Sequence, residues 1–347
     1  MSLDFLPTQP AEQADLLEFL VSCFGARPNA PIANPELMRW KYCEPRPDWS
    51  GPRSYVLKQE ERIVAHGCAY PVTYLLWDGE VTSMRILDWA SGANAPGSGV
   101  LLLRKLAPLV NTLMAVGGSE QTLAIMPKVG FRHQGDLDLF ARVVRPWRQF
   151  RSQPSKNWKA LLKLIRNTVW SRTRLSHPGD WSALRITRFD AETFPVSVNR
   201  LPRPFTPSKR SPEMLNYLLG CPGAVLSAFL LLEGGTRRGY FVLSRVGGQT
   251  RIADMFVDTD IPADWRAAFS VATHAAAEEA KTCEVLAAGS TKLAIDAIRE
   301  NGFRSRRRDP ILIHDPKGLL AKALPLNLNL LDGDEFYLHD PACPYLT

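Results

Sequence analysis

The residues whose types and spacing could do chemistry lie where an apolar strand runs into a glycine-rich loop. The loop reads Ser91-Gly92-Ala93-Asn94-Ala95-Pro96-Gly97-Ser98-Gly99, and an apolar segment predicted to be helical, Val100 to Leu113, follows it directly. Backbone N–H groups at a helix N-terminus bind phosphate because they point toward the ligand and the helix dipole favours negative charge. Glycines let a ligand approach the backbone closely. The order of strand, glycine loop and helix therefore predicts a phosphate-binding site.

Two side chains near this loop could accept a proton. Asp88 lies inside the apolar strand before the loop, and His66 lies on the neighbouring predicted strand. A carboxylate or an imidazole can take a proton from a reactant, directly or through water. An aspartate in an apolar strand also demands hydrogen-bond partners, and Asp254 holds the matching place in a second, similar strand. For Asp88, a structural role is therefore an alternative to the catalytic one. For a lone strand histidine such as His66, the structural role is the commoner of the two.

Helices and antiparallel strands must position these residues. Apolar spacing predicts two helices followed by two hairpin-like pairs of strands: Ala11 to Cys23, Asn34 to Tyr42, Ser54 to Leu57 with Ile63 to Tyr70, and Val72 to Trp77 with Val81 to Trp89. After the loop and its helix we expect a short strand, a helix, the tripeptide Gly-Phe-Arg and a further strand: Met114 to Val116, Ser119 to Val129, Gly130 to Arg132, and Leu137 to Val144.

The second half of the chain repeats this order. Its matching segments are Ser211 to Tyr217, Val225 to Leu232, Gly239 to Val246, Ile252 to Phe256, Trp265 to Lys281, Val285 to Ala288, Leu293 to Glu300, and a second Gly-Phe-Arg at Gly302 to Arg304. Such repetition, in a chain of 347 residues, predicts two units of one fold. We predict a mixed α/β fold with a mainly antiparallel central sheet, and domains at 1–146 and 181–347 joined by a linker at 147–180.

The linker is strongly basic. From Arg145 to Gly179 it contains nine lysines and arginines and no acid: Arg145, Arg148, Arg151, Lys156, Lys159, Lys163, Arg166, Arg172 and Arg174. Its middle keeps helical apolar spacing at Trp158, Leu161, Leu162, Ile165 and Val169. One interpretation is a linker helix that packs its apolar face on a domain. The alternative is peripheral contact of 156–174 with a membrane surface.

Several classes of protein are disfavoured by composition. The apolar runs fall short of the roughly 20 residues that span a bilayer, and the N-terminus carries acids where a secretory signal is basic, so we expect a cytoplasmic protein. Six cysteines without CxxC spacing and six histidines without HxH or HxxxH spacing predict no metal site. The net charge of +7 permits an anionic partner without choosing one.

Each half resembles a GNAT domain, the fold of the acyl-coenzyme A N-acyltransferases, most closely over residues 82–144. The resemblance implies that acetyl-coenzyme A or another acyl-coenzyme A is the co-substrate. Its pantetheine arm would meet the backbone of Asp88, Trp89 and Ala90, and its pyrophosphate would meet Gly97, Ser98, Gly99 and Val100. Pro96 stands where the family has Arg or Gln and offers neither a side-chain donor nor an N–H.

The second copy departs further from the family pattern. The equivalent stretch, Val257 to Trp265, contains no glycine and three acids, which would repel a pyrophosphate. The resemblance therefore implies one donor site, in the first copy, with the second copy shaping the acceptor site or stabilising the pair.

The activity implied is transfer of an acyl group to an amine, with Asp88 as the first candidate for the base and His66 as the second. The general acid stays unassigned. The acceptor would be a small-molecule amine, an amino sugar or a peptide; a nucleic-acid partner is not expected, and the oligomeric state is open. Two alternatives remain: an aminoacyl-tRNA dependent transferase of the Fem type, supported by the duplication and the basic linker, and a non-catalytic GNAT-like binding module.

Overall fold

The computed structural model describes residues 3–153, 156–321 and 323–347. The helices are α1 (Gln13–Phe24), α2 (Pro35–Tyr42), α3 (Ser98–Leu106), α4 (Glu120–Ile125), α5 (Pro146–Ser152), α6 (Trp158–Ser171), α7 (Pro212–Leu219), α8 (Pro262–Glu278) and α9 (Lys292–Glu300). The strands are β1 (Asp4–Pro7), β2 (Ser54–Gln59), β3 (Arg62–Leu76), β4 (Gly79–Ser91), β5 (Thr112–Val116), β6 (Arg132–Val143), β7 (Trp181–Ile186), β8 (Thr206–Pro207), β9 (Val225–Glu233), β10 (Thr236–Val246), β11 (Gln249–Val257), β12 (Glu284–Gly289), β13 (Arg304–His314) and β14 (Leu326–Asn327).

The chain forms two compact units. Unit 1 comprises residues 1–135, 221–223 and 310–324, and unit 2 comprises 136–220, 224–309 and 325–347. The strand after each Gly-Phe-Arg leaves the unit of its own sequence copy: β6 pairs with β12 in unit 2, and the end of β13 pairs with β5 in unit 1. The units thus exchange strands relative to the sequence copies. The boundaries at 1–146, 147–180 and 181–347 stay a prediction about those copies.

Unit 1 is built on a sheet in which β1, β2, β3 and β4 are antiparallel neighbours, β5 runs parallel to β4, and the end of β13 is antiparallel to β5. Helix α3 packs on this sheet at Gly67, where an added Cβ would lie 3.2 Å from Leu102. The buried core joins α3 to the strands through Leu102, Leu103, Met84 and Leu113. This packing positions the N-terminus of α3 beside the end of β4.

Unit 2 repeats the plan. Its sheet contains β7, β9, β10 and β11 as antiparallel neighbours, β12 parallel to β11, and β6 antiparallel to β12. Helix α8 packs on it through Trp265, Ala268 and Phe269 in a large aromatic and aliphatic core. The predicted mixed α/β class with mainly antiparallel sheets and two similar units is confirmed.

Four predicted elements differ from the structure at a proline. The predicted strands Ile63 to Tyr70 and Val72 to Trp77 form one strand, β3, because the pairing with β2 ends at Cys68 while that with β4 continues through Pro71. A strand tolerates proline where only one side is paired. Helix α3 ends at Leu106 instead of Leu113, and α4 ends at Ile125, where 3₁₀ turns containing Pro108 and Pro127 begin.

The structure contradicts one of the two interpretations of the linker helix. Helix α6 buries Ala160 and Asn167 and exposes the apolar residues that were expected to pack on a domain. The packing interpretation was therefore wrong, because helical spacing identifies an apolar face but not what covers it. Residues 154 and 155 of the predicted linker lie outside the described residues. Within the described residues, no helix is both long and apolar enough to cross a membrane.

Candidate functional site

The end of strand β4 is splayed and bulged. Its parallel pairing with β5 joins Ser83–Arg85 to Thr112–Met114, and β4 then continues to Ser91 beyond that pairing. On its other edge the register with β3 shifts, so that Asp88 and Trp89 both lie opposite Gly67. This is a β-bulge, two residues against one. Asp88 takes a positive φ of 48°, so the bulge turns the chain just before the glycine loop.

The glycine loop ends in a left-handed turn that starts α3. Gly97 has φ +84°, and an added Cβ would meet no described atom within 4 Å. The first helical hydrogen bond runs from Leu101 N to Gly97 O at 3.0 Å, so the amides of Gly99 and Val100 precede the helix's own hydrogen-bond ladder. The Ser98 hydroxyl donates to Ala95 O at 2.7 Å and stabilises the turn.

Both predicted donor-binding segments are brought together. The indole Nε1 of Trp89 donates to Gly99 O at 3.0 Å, and an added Cβ on Gly99 would lie 3.2 Å from the same indole. Asp88, Trp89 and Ala90 therefore lie beside Gly97, Ser98, Gly99 and Val100. A cleft of about 350 Å³ opens against the loop on the side of Pro96 and Gly97.

The Asp88 carboxylate is engaged by two buried partners. Its Oδ2 accepts from Lys41 Nζ and, at 2.7 Å, from the Tyr42 hydroxyl. The exposed fractions of the Lys41 and Asp88 side chains are 1% and 10%. Burial acts to raise the pKa of Asp88, but the Lys41 ammonium and the two hydrogen bonds outweigh it and hold the pKa below its ordinary value. The carboxylate stays charged at neutral pH in this arrangement.

His66 holds the backbone of the bulge. Its Nδ1 lies 3.0 Å from Asp88 O, and its Nε2 lies 3.0 Å from Ser54 Oγ. A carbonyl can only accept, so Nδ1 carries the proton and Nε2 accepts from the Ser54 hydroxyl, whose oxygen is 2.7 Å from Thr8 Oγ1. Complete burial lowers the pKa of His66 to about 4 despite the nearby Asp88, and the ring is neutral at pH 7. The structure thus joins both catalytic candidates, but through the backbone carbonyl of Asp88.

Unit 2 contains a corresponding buried cluster. Asp254 accepts from Arg210 Nε at 3.0 Å and from the Tyr240 hydroxyl at 2.8 Å, while Arg210 also donates to Asp332 at 2.8 Å. An aspartate in the same strand position of each unit is therefore bound to a cation and a tyrosine. This repetition favours a structural role for Asp88.

The strand-to-helix turn of unit 2 is stabilised by an arginine side chain. The Arg203 guanidinium donates to Val257 O at 2.9 Å and to Thr259 O at 3.1 Å, and it pairs with Asp260 at 2.7 Å. Val257 is the last residue of β11, which, like β4, continues beyond its parallel pairing with the neighbouring strand. Unit 2 thus lacks the glycine turn and satisfies part of its strand end with its own side chain.

Several of these residues were not identified in the sequence. Lys41 and Tyr42 are 47 and 46 positions from Asp88, and the repeat gives no hint of them because the second copy draws its cation from Arg210, just before α7. The available signal was Lys41 itself, which follows Leu37 by one helical turn on the buried face of α2. Over residues 3–153, 156–321 and 323–347, no group of three or more His, Cys, Asp or Glu side chains is placed to hold a metal ion.

Comparison with known proteins bears on the fold. No protein-family model and no curated protein sequence match this chain. Among solved structures, a GCN5-related N-acetyltransferase from Anabaena variabilis aligns with TM-score 0.59 and 12% identity over 90% of this chain and 72% of that one. A tandem GNAT protein from the clavulanic acid biosynthesis pathway aligns with TM-score 0.55 and 14% identity over 90% and 98%. N-myristoyltransferase from Saccharomyces cerevisiae with bound myristoyl-coenzyme A aligns with TM-score 0.56 and 12% identity over 90% and 83%. The chain therefore has the GNAT fold.

Proposed function

We propose that the chain transfers an acyl group from an acyl-coenzyme A to an amine, with the donor held by unit 1. The observation that carries the proposal is the left-handed glycine turn, which of the two described strand-to-helix turns only unit 1 has. This turn lies beside the part of β4 that continues beyond its pairing with β5 and beside a cleft of about 350 Å³. The GNAT fold supports it, since one similar structure holds myristoyl-coenzyme A.

The residues present fit such a donor. The amides of Gly99 and Val100 at the start of α3 suit a pyrophosphate, and the backbone of β4 beyond Arg85 suits the amide groups of a pantetheine arm. The bound thioester supplies an acyl group that is activated toward attack by an amine. Acetyl-coenzyme A is the first donor to test, and a small-molecule amine, amino sugar or peptide is the acceptor class.

The protein's own contribution in this proposal is chiefly positioning. Trp89 fixes the first turn of α3 against the bulge, and His66 fixes the Asp88 carbonyl. Holding an amine and a thioester in the reacting geometry supplies much of the rate of such a transfer. Asp88 remains the proposed base, but it must then act while paired with Lys41; the alternative is that Asp88 and His66 only hold the bulge in shape.

Titration calorimetry of the full chain with acetyl-coenzyme A and a longer acyl-coenzyme A tests the donor site. Gly97→Ala adds a methyl group that points into open space at the cleft, so we expect donor affinity to fall at least about tenfold. Gly247→Ala is the matched control, because Gly247 in unit 2 also has a positive φ and no described atom within 4 Å of an added Cβ. Each substitution costs about 1–2 kcal/mol of backbone strain.

Three results would contradict the proposal. Absence of binding heat with either donor at millimolar concentration removes the donor site. Binding without turnover across a panel of amines favours the non-catalytic module. Salt-sensitive retention of aminoacyl-tRNA, together with no donor binding, favours the Fem-type alternative, because phosphate contacts weaken steeply with salt.

A further inference from the structure

Helix α6 presents an apolar face to solvent. Trp158, Leu161, Leu162, Ile165 and Val169, here called the α6 stripe, are between 51% and 68% exposed. At 100° per residue, the five side chains fall within an arc of about 100°. An apolar face this continuous on a surface helix is typical of a binding surface.

The opposite face of α6 attaches it to unit 2. Ala160 and Asn167 are buried, and Asn167 Nδ2 donates to Gln149 Oε1 at 2.8 Å. Gln149 in turn donates to Thr347 Oγ1 at 2.8 Å. The side chain of Asn157 caps the helix by accepting from Ala160 N at 3.0 Å. Because the face of α6 opposite the stripe is the one that binds unit 2, the α6 stripe is exposed while the helix is packed in place.

Positive charge borders the α6 stripe. Lys159, Lys163 and Arg166 lie along one flank, about 80° to 140° around the helix from Trp158. The guanidinium carbon of Arg166 lies 4.3 Å from the centre of the Trp170 ring. The whole segment from Arg145 to Gly179 has nine lysines and arginines and no acid. Long basic side chains beside an apolar face can reach lipid phosphates while the face inserts at the headgroup level.

We propose that α6 adsorbs flat to the surface of an anionic lipid membrane, with the α6 stripe at the boundary of headgroups and acyl chains. This is independent of the proposed acyl transfer. An RNA would engage the basic flank but would leave the apolar stripe in water. A second copy of the chain would bring another basic, acid-free helix against this one, and the like charges would repel. An anionic membrane matches both the stripe and the charge.

Co-sedimentation of the full chain with vesicles tests the proposal. We expect binding to vesicles that mix phosphatidylglycerol with phosphatidylcholine and weak binding to pure phosphatidylcholine. Leu161→Gln with Ile165→Gln should reduce partitioning by about tenfold or more, because two inserted side chains are lost. The matched control is Leu184→Gln with Val225→Gln, at positions 52% and 55% exposed elsewhere in unit 2. All four positions are exposed, so the fold should persist, as circular dichroism would show.

A second pair of variants tests the charge. Lys159→Gln with Lys163→Gln should weaken binding by about fivefold for each charge removed, and added salt should weaken it further. Lys281→Gln with Lys292→Gln removes the same charge elsewhere and should change partitioning little.

Equal sedimentation of the stripe variant and the natural chain would overturn the proposal, as would failure of the natural chain to bind mixed vesicles at low salt. Self-association that the stripe substitutions abolish, without vesicle binding, would instead identify a contact between copies. Retention of RNA without vesicle binding would identify a nucleic-acid surface.

Discussion

Replacing Asp88 by asparagine separates a catalytic carboxylate from a structural one. In the folded chain the Asp88 carboxylate and the Lys41 ammonium are paired inside unit 1, and Tyr42 also donates to the carboxylate. A neutral amide at this position would leave the buried ammonium without its counter-charge. Breaking a buried ion pair by removing one partner costs about 3–5 kcal/mol. We therefore expect Asp88→Asn to lower the free energy of unfolding by that amount.

The assay is urea denaturation at pH 7, with hydrogen exchange of the β4 amides to locate the loss in unit 1. Lys41→Met combined with Asp88→Asn should recover much of the stability, because the uncompensated charge is gone. Asp254→Asn is the matched control in unit 2. It should cost less, because Asp332 still pairs with Arg210. A variant Asp88→Asn as stable as the natural chain, but with transfer activity lost and the pH profile altered, would refute this reasoning and identify Asp88 as the base.

Two further predictions concern pH and chain fragments. The pKa of His66 is lowered to about 4, so between pH 6.5 and 4 the unfolded chain binds more protons at this residue. The free energy of unfolding should therefore fall by up to about 3 kcal/mol as the pH is lowered from 6.5 to 4. His66→Gln should make this fall smaller, as denaturation at pH 7 and at pH 4.5 would show. A fragment 1–146 lacks Ile311–His314, which pair with β5, so we expect it to aggregate through that open edge. A chain of residues 1–135 joined to 310–324 by a flexible linker should stay dispersed in light scattering. Aggregation of this chain while fragment 1–146 stays dispersed would contradict the strand exchange.

The parts of the site that local patterns specify were predictable. The glycine turn at Gly97, the start of α3 and the aspartate inside β4 each depend on a few adjacent residues, and the structure brings Asp88–Ala90 beside Gly97–Val100 as expected. Turn chemistry and helix starts act over such short ranges.

The parts that depend on long-range packing were not predictable. The place of Lys41 one helical turn after Leu37 hints that it lies on the apolar face of α2, but the sequence does not show that this face meets the bulge of β4. Apolar periodicity in α6 predicts a helix correctly, but the same period occurs whether the face is covered by protein or left open. The exchange of strands after Gly130 and Gly302 depends on which sheet edge is free, and one copy of the sequence does not contain that information.

The two copies also show which features of the bulge serve the fold. Asp254 in unit 2 is held by Arg210 and Tyr240, although that unit has no glycine turn. Because this aspartate cluster is present in a unit without the glycine turn, support of a ligand at that turn cannot be its only role. Arg203 is a second feature particular to unit 2, because its guanidinium donates to the carbonyl of Val257, the last residue of β11, and to that of Thr259, which also accepts from the Trp265 indole. The difference between the units therefore lies in the glycine turn and in the Arg203 contacts, because β11, like β4, continues beyond its parallel pairing. The proposed donor site depends on the glycine turn of unit 1 whatever role Asp88 has.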